Sequence, residues 1–309
     1  MKIFKKLMKA YKKSTIWFKL IALLVGLLII TILVNKITPL NEGFEQREKF
    51  VLKTNDNLYD SFTAEIYDDL MFDSAKNAYE IREITKLTKL NKNSLVLDVG
   101  SGTGHHVRML NNDNIKTIGL DKSKAMVEFS KSKYPKMKFI HGDVLASSLF
   151  DLSIFSHITS FCFTAYYIKD KLTYFRNCYD WLKPGGYMIV HLVDRERFDP
   201  ILNAADPLHM VSPQKHAKKR ITNSVVKFKD FQYKANFKLN SEKDIATFEE
   251  KFIDDGSEKV RKHVHTLYMP TQKYILSLAK NIGFHLKGSI DMVHAQYEYQ
   301  YLYILQKPR

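Results

Sequence analysis

The sequence predicts an α/β protein built on a doubly wound, mostly parallel sheet, and three observations carry that expectation. Between residues 95 and 193, short apolar runs alternate with stretches of helical length, which is the pattern of βαβ units. The first run, Leu95, Val96, Leu97 and Val99, is nearly continuously apolar, as a central strand covered on both faces requires. It leads straight into GSGTGHH, residues 100–106, where Gly100, Gly102 and Gly104 permit a tight turn that a ligand can approach without meeting a side chain.

Charge and hydropathy set the N-terminus apart. Residues 1–36 carry Lys2, Lys5, Lys6, Lys9, Lys12, Lys13, Lys19 and Lys36 and no acid, so +8 of the net charge of +15 lies there. The remainder (40 basic against 33 acidic residues) is only mildly basic, which argues against a folded body built for nucleic acid. LIALLVGLLIITILV, residues 20–34, has no charged side chain. With Ile16, Trp17 and Phe18 before it and Lys19 snorkelling, it approaches the ~20 residues that a bilayer core needs. The expected organisation is a basic tail over 1–15, a single transmembrane helix over 16–37, a polar linker over 38–55 and an α/β domain over 56–309. VNKITPL offers no small-residue cleavage site, so a removed signal peptide is disfavoured.

The elements of the domain follow in order. Tyr59, Phe62, Ile66 and Leu70 recur at helical spacing, and a second helical stretch runs from about Ala75 to Leu90. After the strand at 95–99 and the glycine turn come a helix over 104–112, a strand over 116–121 ending in Asp121, and a helix over 123–133 capped by Ser123. A third strand over 137–143 ends at Asp143, a fourth covers 158–163, a helix 170–182, and a fifth strand 187–193 follows the turn Lys183-Pro184-Gly185-Gly186. Residues 194–268 are an insertion whose second half alternates as strands do, so a β-rich cap is expected. A helix over 271–281 and strands over 284–291 and 297–305 close the chain. Cys162 and Cys178 lie in apolar surroundings and read as core thiols, and with no CxxC or HExxH no metal is expected.

The glycines follow G-x-G-x-G, with His105 where a dinucleotide fingerprint wants its third glycine. With Asp98 before it, this turn resembles the first motif of the class I S-adenosylmethionine-dependent methyltransferases. Asp121 at the end of the second strand, HGD at 141–143 and WLKPGG at 181–186 arrive in that family's order. The lead-in NLYDSFTAEIYDDLMF is also similar to the family's. The resemblance covers roughly residues 56–309 and implies a seven-stranded sheet with a reversed C-terminal hairpin and S-adenosylmethionine as cofactor. It implies Asp98, Gly100, Ser101, Gly102, Gly104, Asp121, Lys122, Asp143, Val144, Phe161 and Tyr67 around that cofactor, with Asp121 on the ribose, Asp143 and Val144 at the adenine, and Tyr59 and Tyr67 as a lid or as plain core. The chain departs from the family in two places: SFCFTAYYIKD lacks the [ND]-PP-[YFW] motif, and His157 stands where many members carry an acid.

A sulfonium methyl is already activated, so such a protein mainly aligns the acceptor and excludes water. If the acceptor must lose a proton, the candidate bases are His191, Asp194, Tyr166 and Tyr167, with His263, His265 or Glu249 from the cap. The expected function is a membrane-anchored methyltransferase for a small molecule, lipid and amine included. The alternatives are a catalytically inactive, methyltransferase-like scaffold and an RNA methyltransferase using Lys218, Lys219 and Arg220. The positive-inside rule would carry the domain across the membrane. Cofactor supply, unpaired cysteines and the absence of any N-x-[ST] sequon favour a single-pass protein whose catalytic domain faces the cytosol.

Overall fold

The computed structural model describes residues 15–37, 48–201, 214 and 217–309. The chain divides into two units, Met1–Glu45 and Gln46–Arg309. In the first, α1 (Ile16–Ile37) forms where the transmembrane segment was expected, but the side chains of residue 22 and of 28–37 lie outside the description. Among the described residues no helix is long and apolar enough to cross a membrane, so the spanning expectation finds no support there. Most of the basic tail, residues 38–47 of the linker and residues 202–213 of the insertion also lie outside the described residues.

In the second unit, two helices precede the main sheet: α2 (Ser61–Met71) and α3 (Ser74–Thr88), capped by the side chains of Asp60 and Asp73. The chain then alternates as the apolar runs required: β2 (Leu95–Val99), α4 (His105–Asn112), β3 (Lys116–Asp121), α5 (Lys124–Lys133), β4 (Lys138–His141) and β5 (Phe155–Ser160). Next come α6 (Thr164–Tyr167), α7 (Lys171–Trp181) and β6 (Leu182–Val193), and the chain closes with α8 (Gln272–Ile282), β11 (His285–Asp291) and β12 (Gln300–Gln306). Seven strands form one sheet in the order β11-β12-β6-β5-β2-β3-β4. The five from β6 to β4 run parallel, and β12 pairs antiparallel with both β6 and β11, giving the reversed terminal hairpin. β2 sits in the middle, with Val96 and Leu97 fully buried, as its unbroken apolar run demanded.

Several boundaries differ from expectation: β4 stops at His141, which leaves Asp143 in the loop just beyond it, the last strand starts at Gln300 instead of 297, and the largest differences are at β5 and β6. β5 ends at Ser160, because Cys162 and Phe163 take left-handed backbone (φ 43° and 60°) and turn the chain out of the sheet. Residues 183–186 are an irregularity within β6, since the register jumps between the pairs Phe155–Leu182 and His157–Tyr187.

The insertion forms a second, five-stranded sheet from β7 (Asn223–Lys227), β8 (Phe231–Asn240), β9 (Ile245–Asp254), β10 (Val260–Tyr268) and a strand not expected at all, β1 (Phe50–Thr54). β1 pairs in parallel with the edge of β10, so residues 50–54 of the supposed linker are part of the cap. Arg220 turns inward, donating to the Arg195 carbonyl at 2.9 Å and lying over the Phe198 ring, while Lys218 and Lys219 are exposed. The basic run of the RNA reading therefore splits between a structural arginine and two solvated lysines.

Candidate functional site

The carboxyl ends of β2, β3 and β4 open into a cleft of about 420 Å3 lined by Val99, Gly100, Gly102, Asp121, Lys122, Asp143 and Val144. Its floor is the glycine turn, fixed by Gly100 and Ser101 N–H donating to the Leu120 carbonyl at 2.8 and 3.1 Å. All three glycines are left-handed (φ 73°, 51° and 84°), where a Cβ is penalised. A Cβ on Gly100 would lie 2.4 Å from Thr164 Oγ1, and one on Gly104 2.6 Å from Phe139 Cζ. On Gly102 it would meet only Tyr67 Cε1, at 3.8 Å. Gly102 therefore presents its bare face to open space, while the other two allow close contact beneath.

Asp121 accepts Gly102 N–H and Ser123 N–H, both at 2.8 Å. Burial raises its pKa, and these two hydrogen bonds oppose the rise. A carboxylate has about four lone-pair sites, so two stay available for a ribose diol. Asp143 accepts Leu145 N–H at 3.0 Å, beside the buried Val144. Lys122 bridges Asp56 (3.0 Å) and Asp143 (3.2 Å), and these partners, Asp56 foremost, raise its pKa. Asn55, Asp56, Leu58 and Tyr59 run along the cleft as a strap, held by Ser123 Oγ–H donating to the Tyr59 carbonyl at 2.5 Å. Asp68 ties α2 to the turn by accepting from Thr103 at 2.6 Å, with His105 at 2.9 Å and Lys133 also on it. Burial works to raise its pKa, but the His105, Lys133 and Thr103 bonds win and hold it at about 2.

Four expected cofactor residues do not line this cleft. Asp98 is buried, accepts Thr159 Oγ1–H at 2.8 Å, and is pushed up to about 6, chiefly by burial. Ser101 and Gly104 support the turn from within. Phe161 stacks on His106 (ring centroids 4.0 Å apart). His106 in turn bonds the buried Glu80 at 2.8 Å, whose other oxygen pairs with Lys76 at 2.8 Å.

A second chamber, of about 130 Å3, is lined by aromatic and aliphatic groups with Lys76, His191, Glu250, His265 and Gln300 among them. Tyr59, Tyr67, Cys162 and Tyr167 line both spaces. The two tyrosines of the lead-in thus sit at the junction, Tyr59 edge-on to Tyr67 with centroids 6.3 Å apart.

The candidate bases now separate. Tyr166 is fully buried, and its hydroxyl accepts Val193 N–H at 2.8 Å, so it is structural. Asp194 folds back on its own turn, accepting Glu196 N–H at 3.2 Å and pairing with Arg197 at 2.7 Å. His191 lines the chamber, but Nδ1 accepts Phe163 N–H (3.2 Å) and Nε2–H donates to Gln300 Oε1 (3.0 Å). Burial takes its pKa down to about 4. Glu249 pairs outward with Lys262 at 3.2 Å. Tyr167 remains: its hydroxyl lies 2.7 Å from His265 Nδ1, and His265 Nε2 lies 2.7 Å from Glu250 Oε2. Glu250 also accepts Tyr233 O–H at 2.7 Å, and His263 Nδ1 lies 3.6 Å from it. Burial would raise the Glu250 pKa, but the two imidazoles hold it below the usual carboxylate range.

Glu250, His263 and His265 are, among the described residues, the group whose donor atoms converge as a metal would need. However, Arg261 Nε–H donates to His263 Nε2 at 2.9 Å, which leaves the proton of a neutral ring on Nδ1. That nitrogen then offers Glu250 a hydrogen and no lone pair, so the donor set suits protons better than a cation. Sequence reading missed Glu250, Lys76, Thr164 and Gln300. The alternation of RKHVHTL does place Arg261, His263 and His265 on one strand face.

Residues 96–186 match the family described as "Methyltransferase domain". A dTDP-4-amino-2,3,4,6-tetradeoxy-D-glucose N,N-dimethyltransferase from Saccharopolyspora spinosa is 33% identical over 141 residues, which is 43% of this chain and 55% of that protein. The chain thus matches about half the length of that curated relative. The CcbJ methyltransferase of Streptomyces caelestis superposes with a TM-score of 0.63 at 14% identity, covering 82% of this chain and 99% of that one. The sugar N-methyltransferase KedS8 of a Streptoalloteichus species gives 0.56 at 17% identity, covering 76% and 88%. At these identities the structural likeness is one of fold: the class I S-adenosylmethionine-dependent methyltransferase fold.

Proposed function

We propose that this chain, which carries an S-adenosylmethionine-dependent methyltransferase domain, transfers a methyl group to the amine of a small molecule. The observation that carries the reading is the pair of adjoining spaces. A cleft with Gly102 bare and Asp121 and Asp143 at its strand ends suits the cofactor's backbone, ribose and base. A smaller apolar chamber opens beside it across Tyr59, Tyr67, Cys162 and Tyr167. An acceptor there would face the methyl group and be screened from water. Ring faces and the buried Glu250 favour a cationic group over an anionic one. The names of the relatives, an aminosugar N,N-dimethyltransferase and a sugar N-methyltransferase, point to the same acceptor class.

The test is calorimetric titration of the full chain in detergent with S-adenosylmethionine, then transfer of labelled methyl to a panel of amines that includes a dTDP-linked 4-aminosugar. Saturable binding with labelled amine product is expected. No heat and no thermal shift would favour the inactive scaffold instead.

Membrane attachment through residues 16–37, with the catalytic domain on the cytosolic side, belongs to the same proposal. It is supported by the uncharged run 20–34 and by the helix formed there. Sealed vesicles bearing the protein with a C-terminal tag decide it. A tag cut by added protease agrees, and a tag that survives until detergent is added overturns the orientation.

A further inference from the structure

We propose that Tyr167, His265 and Glu250 form a proton relay in which the Tyr167 hydroxyl takes the proton of the acceptor amine. This rests on the methyltransferase reading above and adds the residue that removes the proton and the two that make it able to.

The direction of the relay follows from which atoms can donate. A carboxylate only accepts, so His265 Nε2, 2.7 Å from Glu250 Oε2, carries the hydrogen. Nδ1 of the neutral ring then has its lone pair free, and the Tyr167 hydroxyl 2.7 Å away donates to it. This is the logic of a nucleophile–histidine–acid triad, with the tyrosine hydroxyl in the first place and facing an amine. Tyr167 lines both the cofactor cleft and the chamber, so its oxygen belongs to the wall where methyl donor and acceptor must meet. His265 and Glu250 line the chamber only.

Burial, opposed by the Tyr59 hydroxyl and reinforced by the charge of Glu250, keeps the Tyr167 phenol protonated well above neutral pH. The hydroxyl therefore works by exchange, with no free phenolate. It receives the amine proton as it passes its own to His265 Nδ1. The methylation step balances accordingly. The amine lone pair forms the N–CH3 bond, the C–S bond breaks, and its pair returns to sulfur as a neutral thioether. One N–H proton ends on His265, whose imidazolium is held against Glu250. An amine that enters as an ammonium needs the same removal before attack.

The groups that face His265 fit this role from every side. Tyr59 and Tyr167 meet its ring edge-on (centroids 6.1 and 5.9 Å), Phe248 covers it at 5.5 Å, and His263 stands 6.2 Å away on the same strand. Tyr233 donates to the far oxygen of Glu250, and Arg261, itself paired with Asp60, donates to His263. Glu250 thus accepts from two directions and stays fixed as His265 gains and loses charge. Tyr167 is the catalytic residue, and His265 and Glu250 are positioning residues acting through it.

The test has two readouts on the full chain. In 15N-histidine spectra, His265, assigned by its loss in H265Q, is expected with the hydrogen on Nε2 and Nδ1 bare. A hydrogen on Nδ1 overturns the relay whether or not turnover is found. With the dTDP-linked 4-aminosugar as probe, Y167F should bind S-adenosylmethionine as the wild type does and lose about a hundredfold in kcat, with little change in KM. H265Q should lose the acid limb of the kcat pH profile, and E250Q, which keeps the imidazole but removes the charge that holds its protonated form, should move that limb to lower pH; a merely structural role would leave it in place. Y167F within threefold of wild type, or an acid limb retained in H265Q, overturns the proposal. A wild-type chain that fails to bind S-adenosylmethionine sinks the underlying reading instead, and the tautomer result still decides the relay.

Discussion

Gly100→Ala tests how the glycine turn is built. The residue sits at φ 73°, where a side chain costs about 1–2 kcal/mol. Its new Cβ would also lie 2.4 Å from Thr164 Oγ1 and 2.6 Å from Thr164 Cγ2, well inside contact distance. Forcing an extra carbon into such a site costs a further ~1–3 kcal/mol. The single variant should therefore lose about 2–5 kcal/mol, at ~2–4 °C of Tm for each kcal/mol in a domain of this size. Thr164→Ala in the same chain removes both clashing atoms and leaves only Thr164 Cβ, 3.1 Å away. The crowding should then disappear while the backbone penalty stays, so the double variant recovers ~1–3 kcal/mol relative to the sum of the singles. Urea unfolding of the four proteins of the cycle measures that coupling. Strictly additive losses would mean that β2 and α6 do not meet at Gly100 as described, and the reasoning about the turn would fail with them.

Asp121→Ala should weaken S-adenosylmethionine by roughly 2–4 kcal/mol, more than tenfold, through the lost charge-assisted hydrogen bonds, as read by calorimetry; unchanged affinity would move the ribose contact elsewhere. Gly102→Ala, with nothing closer than 3.8 Å to its Cβ, should cost only the backbone penalty of about 1–2 kcal/mol in stability yet lower cofactor affinity, the reverse of the balance at Gly100. Tyr166→Phe should cost about 1–3 kcal/mol by stranding Val193 N–H, with kcat per folded molecule unchanged. Burial lowers His157 and His191 to about 4. The unfolded chain therefore protonates first: their stabilisation is complete above the unfolded value near 6.5 and is lost as pH falls towards 4, up to about 3 kcal/mol each. Urea midpoints at pH 7.5 and 4.5 should fall less steeply in H157Q than in wild type, and equal slopes would contradict the burial argument.

Legibility followed locality. The strand–turn–helix units were readable because each announces itself within a dozen residues: β2 by its apolar run, α5 by Ser123, the cleft by Asp121 and Asp143 at strand ends. The bases were not, because three of the four choices turn on where a side chain's polar atom finds a partner. His191 reads as a base until Phe163 N–H and Gln300, 109 residues away, occupy both nitrogens. Tyr166 and Tyr167 are neighbours of identical chemistry, and only the short turn of α6 sends one to the core and the other to the junction. Glu250 depends on cross-strand register: it stands opposite His263, and a one-residue slip would bring Glu249 there and turn Glu250 outward.

The strand β1 was invisible for the same reason and matters most to the site. FVLKT sits in a stretch rich in charge, and its partner lies some two hundred residues on, with Lys53 opposite His263 and Thr54 opposite Val264. That pairing makes the cap and the N-terminal strap one piece. The strand that carries His265 holds β1 in place, and β1 runs directly into Asn55, Asp56 and Tyr59 along the larger cleft. A domain cut at residue 56 would thus remove an edge strand from the cap and free the strap from its anchor, disturbing the cleft and the chamber together. The working unit begins no later than Lys49, whose carbonyl accepts Val260 N–H at 2.9 Å. What reads in sequence as a methyltransferase core with an insertion is, in its contacts, a cleft and a chamber built on shared backbone. For that reason a change on β1 should register in cofactor binding and in proton transfer at once.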